Sequence, residues 1–229
     1  MGGGWSRILP APLLLCILFM TIPPAYTSAA SEHFFNPPGL ISWTATGFYF
    51  NPKIALTCDT GLPYEDFVHM VWGWMRGGST EIYYRGGMRG GHLWLPEKSL
   101  TLPDGFDSMK PVIAASGNKL FVAWEDYRDG QAEIYFKYSL NNGGTWSEDI
   151  RVTPAGGAEC HNPKIAVGGD YVYIAYEATG GVYPGDNYEV YVRRASMDNL
   201  ADWSTVVLDR GDDDVDSSYP DISAVSYTH

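Results

Sequence analysis

One short phrase returns four times along this chain, and it limits the possible folds more tightly than anything else in the sequence. Asn51-Pro52-Lys53-Ile54-Ala55 comes back as Lys110-Pro111-Val112-Ile113-Ala114 and as Asn162-Pro163-Lys164-Ile165-Ala166. It returns a fourth time as Tyr219-Pro220-Asp221-Ile222-Ser223. A second phrase, Glu81-Ile82-Tyr83, recurs as Glu133-Ile134-Tyr135 and Glu189-Val190-Tyr191. Trp94, Trp146 and Trp203 each stand 17 residues before the next repeat's proline. The step from Trp72 to Trp94 and from Trp124 to Trp146 is 22, and from Tyr176 to Trp203 it is 27. From proline to the mid-repeat aromatic is 13 residues in the second and third repeats and 20 in the first. A unit of 52 residues with insertions confined to two joints is the pattern of loops on a repeated scaffold.

Within a unit the apolar period is two. Val112-Ile113-Ala114-Ala115, Leu120 to Trp124, Glu133 to Tyr138 and a more polar run from Trp146 to Val152 read as four strands. Ser116-Gly117-Asn118, Tyr127-Arg128-Asp129-Gly130 and Asn141-Asn142-Gly143-Gly144 are turn-prone joints between them. Four short antiparallel strands per fifty residues make a propeller blade, so the expected class is an all-β propeller with repeats starting near 51, 110, 162 and 219. A β-sandwich is the alternative architecture, but sandwiches rarely repeat a phrase at fixed spacing. The fourth repeat begins at Tyr219 and the sequence ends at His229, so about three blades and the start of a fourth are expected.

The strand after the proline is expected to be the most apolar and to lack charge, which places it innermost. The fourth strand belongs outside. A meander reverses at every joint, so the second-to-third and blade-to-blade joints share one face and the other joints share the opposite face. Cys58 and Cys160 then fall on opposite faces, out of disulfide reach, and two free thiols are expected.

Ser139-Leu140-Asn141-Asn142-Gly143-Gly144-Thr145-Trp146 resembles the Asp box, S-x-D-x-G-x-T-W, of sialidase-like propellers, with Asn141 where Asp is usual. Ser196, Asp198 and Trp203 keep part of the box, and Gly91 and Trp94 keep less. The resemblance covers roughly residues 50 to 229. It implies a structural turn in which Ser139, Asn141, Gly143, Thr145 and Trp146 hold the third-to-fourth joint, away from the ligand face. It also implies an exo-α-sialidase type of glycosidase as one possible activity. Sialidases use an arginine triad, a Tyr–Glu pair and an Asp, and usually open with F/Y-R-I-P. Phe50-Asn51-Pro52-Lys53-Ile54 has no arginine there. No catalytic residue is carried over.

Residues 1–30 read as a secretory signal: Arg7, then the apolar run Leu13 to Met20, then small residues up to Ala30. An uncleaved anchor and lipid attachment at Cys16 are the alternatives. Residues 31–50 form a lead-in, and 51–229 the propeller. A secreted or cell-surface location follows, with no membrane span once the signal is removed. Formal net charge is −12, which repels nucleic acid and anionic membranes. A carbohydrate or a cell-surface protein is the expected partner.

The ligand face should receive Trp74, Arg76, Glu125, Asp126, Arg128, Asp129, His161 and Glu177. Aromatics with carboxylates suit sugars, and paired carboxylates can hydrolyse a glycosidic bond. The structural counter-readings are an Asp126–Arg128 ion pair within the turn and a solvated loop histidine at 161. No cofactor is expected. Asp212, Asp214 and Asp216 could hold Ca²⁺, although the spacing lacks a closing Glu. Two functions follow: a non-catalytic module that binds glycan or protein, or an exo-acting glycoside hydrolase whose site is completed by further blades.

Overall fold

The computed structural model describes residues 47–57, 66–155, 157–179, 188–206 and 219–223, with the side chain of Arg76 excepted. The expected signal segment, nearly all of the expected lead-in, Cys58 and the aspartates at 212, 214 and 216 lie outside these residues. All described residues are strand, turn or irregular, and they form three antiparallel sheets. The first contains β1 (Phe48–Thr57), β2 (Phe67–Arg76), β3 (Ser79–Met88), β4 (Leu93–Trp94) and β5 (Lys98–Ser99). The second contains β6 (Ser108–Ser116), β7 (Lys119–Asp126), β8 (Glu133–Ser139) and β9 (Ile150–Arg151). The third contains β10 (Cys160–Gly168), β11 (Tyr171–Thr179), β12 (Tyr188–Ser196) and β13 (Asn199–Val206). Each is a meander in chain order, β4 and β5 both pairing with β3. This is the propeller arrangement, not two facing sheets.

Alternation along β7 shows why a period of two builds this fold. Phe121 and Ala123 pack with Ile134, Phe136, Val172, Ile174 and Tyr176 toward the third blade. Leu120, Val122 and Trp124 pack with Val71, Ile82 and Tyr84 toward the first. Both faces of the middle blade are therefore dry, and β7 is the most buried strand. The repeated Trp is a wedge between blades. Trp146 meets Tyr84 of the preceding blade edge-on at 5.0 Å, and Trp203 meets Phe136 of its preceding blade the same way at 5.0 Å.

The Glu-Ile-Tyr phrase has an equally local cause. Glu81 accepts from Thr101 Oγ1 (2.6 Å) and Glu133 accepts from Thr153 Oγ1, while the same two threonine hydroxyls receive the N–H groups of Ile82 and Ile134. The buried carboxylate thus ties the third strand to the chain entering the next blade. The isoleucine fills the interblade core, and the tyrosine stacks on the second-strand aromatic: Tyr83 on Trp72 and Tyr135 on Trp124, both at 6.2 Å.

Two expectations need correction. The first strands do lie together, with β6 packed against both β1 and β10, but the position after the proline is not uniformly apolar. Lys53 and Lys164 occupy it and line the axis. The fourth strand is not regular either: Ile150–Arg151 alone pairs in the second blade, whereas the third blade's strand runs eight residues.

Candidate functional site at the axial end of the blades

The repeated proline sits where the ladder skips. Pairing jumps from Phe50 to Lys53, from Met109 to Val112 and from His161 to Lys164. Proline has no N–H to lose at such a bulge. The residue before it adopts the left-handed conformation in all four repeats: Asn51 at φ 52°, Lys110 at 50°, Asn162 at 54° and Tyr219 at 59°. A non-glycine residue there costs on the order of 1–3 kcal/mol and persists only where surroundings enforce it.

At Asn162 and Tyr219 a glutamate near the end of the preceding blade's second strand accepts that residue's N–H. Glu125 Oε1 accepts from the backbone N–H of Asn162 in the next blade at 2.6 Å and from Lys110 Nζ in its own blade at 2.9 Å. Glu177 repeats the device. Its Oε2 accepts from Asn162 Nδ2 at 2.5 Å, and its Oε1 receives the backbone N–H of Tyr219. Asn162 is the hub, since its Oδ1 also accepts from Lys110 Nζ at 2.8 Å. Blade 1 has Gly73 at the register position of these glutamates, and the Phe50 ring lies where a Cβ would be.

His161 is the second residue of β10, beside this hub, half-buried and therefore not a solvated loop residue. Its Nδ1 is 3.5 Å from Glu125 Oε2 and its Nε2 is 3.5 Å from Glu159 Oε2. Carboxylates on both ring nitrogens suit an imidazolium, which donates from both. The Glu125 contact holds the His161 pKa above its ordinary value, outweighing burial. Burial pushes Glu125 upward, but His161, the Asn162 N–H and Lys110 together hold it below the usual range. Burial and the nearby Glu125 raise the Tyr127 phenol to about 12. This end of the blades is thus a fixed array of charges around a cavity of about 260 Å³, lined by Asn51, Lys53, Lys110, Asn162 and Lys164 together with Pro111, Val112 and Pro163.

Of the expected ligand-face residues, Glu125, His161 and Glu177 come together here. The others do not. Asp126 is buried and bound by Arg128 through two bonds of 2.7 Å, by Trp124 Nε1 at 2.7 Å and by Ser108 Oγ at 3.0 Å. Arg128 also reaches Asp149 at 2.8 Å and lies over the Tyr135 ring at 4.7 Å. Asp129 accepts from Tyr135 and Arg151. Trp74 is buried between Tyr49 and Tyr83. Asp126, Arg128 and Asp129 are engaged in holding the second-to-third turn, and Trp74 is packed between two rings. The Arg76 side chain lies outside the described part. Lys110 and Asn162, read in the sequence only as repeat markers, belong to the site. Asn at two of the four pre-proline positions was the available clue, because Asn tolerates positive φ.

The Asp-box residues form a self-closed turn. Asn141 Oδ1 accepts from Thr145 N–H at 2.8 Å, Asn141 Nδ2 donates to Thr145 Oγ1 at 3.0 Å, and Ser139 Oγ accepts from Gly143 N–H at 2.9 Å. Asn142 N–H donates to Asn118 O at 2.8 Å, so the turn shares a face with the first-to-second joint. Among the described residues no group of three or more His, Cys, Asp or Glu is placed to hold a metal, and no helix is long and apolar enough to cross a membrane.

No protein-family model matches the sequence, and no curated protein matches it. Solved structures do match in fold. An α-L-arabinofuranosidase of Fusarium graminearum bound to an iminosugar inhibitor aligns at 15% identity and a TM-score of 0.50, over 69% of this chain and 49% of that one. An α-L-arabinofuranosidase of Podospora anserina in complex with cellotriose aligns at 12% and 0.45, over 69% and 50%. An α-L-arabinanase of Cellvibrio cellulosa with arabinohexaose aligns at 14% and 0.35, over 62% and 51%. The Fusarium graminearum protein is described as an arabinofuranosidase, not a sialidase. The likeness is one of fold: this chain spans about half the length of these proteins, and its blades follow the propeller of a glycosidase.

Proposed function

We propose that this chain is part of an exported, carbohydrate-acting propeller of glycoside-hydrolase type, with the sugar entering at the axial end where Glu125, His161, Asn162 and Glu177 meet. The observation that carries the reading is the pair of buried glutamates on adjacent blades, linked through Asn162, which lines an axial cavity. Fold likeness to an arabinofuranosidase supports the reaction class without granting it. Glycoside hydrolysis uses two carboxyl groups flanking the bond. Glu125, held ionised by three donors, is a fixed anion that positions His161. Glu159, whose side chain is 56% exposed beside His161, is the carboxyl that solvent and substrate reach. The test is release of 4-nitrophenol from aryl glycosides, α-L-arabinofuranoside first. Turnover that falls at least a hundredfold in Glu159→Gln supports hydrolysis.

A second reading is a non-catalytic module that binds a glycan or a cell-surface protein. The full burial of Glu125 and the engagement of Glu177 with two partners favour it, because both groups are occupied in holding bulges. Saturable binding of an oligosaccharide with no turnover on any aryl glycoside would select this reading over hydrolysis.

A further inference from the structure

The position after the repeated proline is Lys53, Val112, Lys164 and Asp221 in the four repeats, while the next residue is always isoleucine. The isoleucine is thus the constant position, and Ile54, Ile113, Ile165 and Ile222 line a second cavity along the axis. The fold does not require a lysine before it, since valine serves in the middle blade. Yet Lys53 and Lys164 line the same axial cavity. Neither has an ion-pair partner among the described residues. Lys110 lines it as well, its side chain 41% exposed, having used two of its three N–H donors on Glu125 and Asn162. Three ammonium groups around one cavity repel one another unless an anion lies between them. No carboxylate lines this cavity itself: both oxygens of Glu125 and both of Glu177 are engaged at the bulges, and Asp221 lines the second cavity, shared with Lys53 and Lys164, with Oδ1 accepting from the Ile222 N–H.

We infer that the axial cavity is an oxyanion site, in which Lys53, Lys164 and the remaining donor of Lys110 hold a carboxylate or sulfate ester carried by a sugar. The cavity of about 260 Å³ has room for such a group, and the left-handed residues Asn51, Lys110 and Asn162 all line it. The net charge of −12 repels anions at a distance, so selectivity comes from contacts inside the cavity. This inference rests on the proposed carbohydrate reading for the sugar part of the ligand, but not for its anionic part.

The experiment is calorimetric titration of the whole chain with glucuronate, glucose 6-sulfate, glucose and inorganic sulfate. The expected result is binding of a charged sugar at least tenfold tighter than glucose. A stronger response to glucuronate identifies a carboxylate, and a stronger response to glucose 6-sulfate identifies a sulfate ester. Replacing both Lys53 and Lys164 with Gln removes the tenfold margin, and replacing both with Arg retains it. The Arg variant and an unchanged melting temperature separate loss of the site from loss of folding. Equal affinity for glucose and its charged derivatives overturns the oxyanion site and leaves the carbohydrate reading standing. Binding of inorganic sulfate with the same lysine dependence, with no sugar bound, keeps the oxyanion site and overturns the carbohydrate reading. Absence of binding by every charged probe overturns the site.

Discussion

Asn162 does the work of three residues, because its backbone N–H, amide nitrogen and amide oxygen each bind a different side chain. Its neighbour His161 reports on the same network. Pairing with Glu125 raises the histidine above 6.5, so its contribution to stability is whole below that value and fades as pH climbs through the raised one. Glu125 works the other way: its contribution is present above 4.5 and is lost as pH falls through its lowered folded value. Ring resonances of His161 followed by NMR should titrate above 6.5, and in Glu125→Gln the midpoint should move down. Gly143 is a second residue set by its surroundings. Its φ is 77°, and a Cβ would lie 2.1 Å from Tyr84 Oη. Gly143→Ala should destabilise by about 1–3 kcal/mol in urea unfolding. An unchanged midpoint would mean that the turn does not press on the preceding blade.

At the scale of strands, blades are joined by side chains that reach across. Thr57 Oγ1 lies 3.0 Å from His69 Nε2, His69 Nδ1 lies 2.9 Å from Tyr84 Oη, and Tyr84 donates to Asn142 O at 3.2 Å in the next blade. With the tyrosine proton spent on Asn142, Nδ1–H donates to Tyr84 and Nε2 accepts from Thr57, which requires a neutral ring. Burial lowers the His69 pKa to about 4. The unfolded chain therefore binds a proton that the folded one refuses between about 6.5 and 4, and stability falls as pH drops through that window. His69→Gln should flatten that part of a pH–stability curve measured by thermal melting. Phe136 serves two contacts, the core between the second and third blades and the edge of Trp203. Phe136→Ala should cost about 3–5 kcal/mol.

For the molecule as a whole, the packing leaves one described thiol, Cys160, which is free, buried and raised by burial to about 12. It should resist iodoacetamide in the native protein and be alkylated in denaturant without reductant. Native labelling at a comparable rate would mean that the interface between the second and third blades opens readily. Much of this architecture was legible in the sequence. The strands, their meander and the blade count follow from a period of two inside a period of about fifty, and such spacings are properties of the chain itself. The roles of Trp146 and of Glu133 were visible as recurrences, though not as a wedge and a tie. The site was only partly legible. Glu125, His161 and Glu177 could be placed at one end of the blades by counting reversals. Whether Asp126 and Arg128 faced a ligand or each other could not be decided by counting, because a turn fixes which end a residue occupies and not which partner its side chain meets. The hub at Asn162, the bulges beneath it and the lysines around the axis were decided by tertiary structure alone. Their partners lie in neighbouring blades, 37 residues apart for Glu125 and Asn162, and only closure of the blades around a common axis brings those groups within bonding distance.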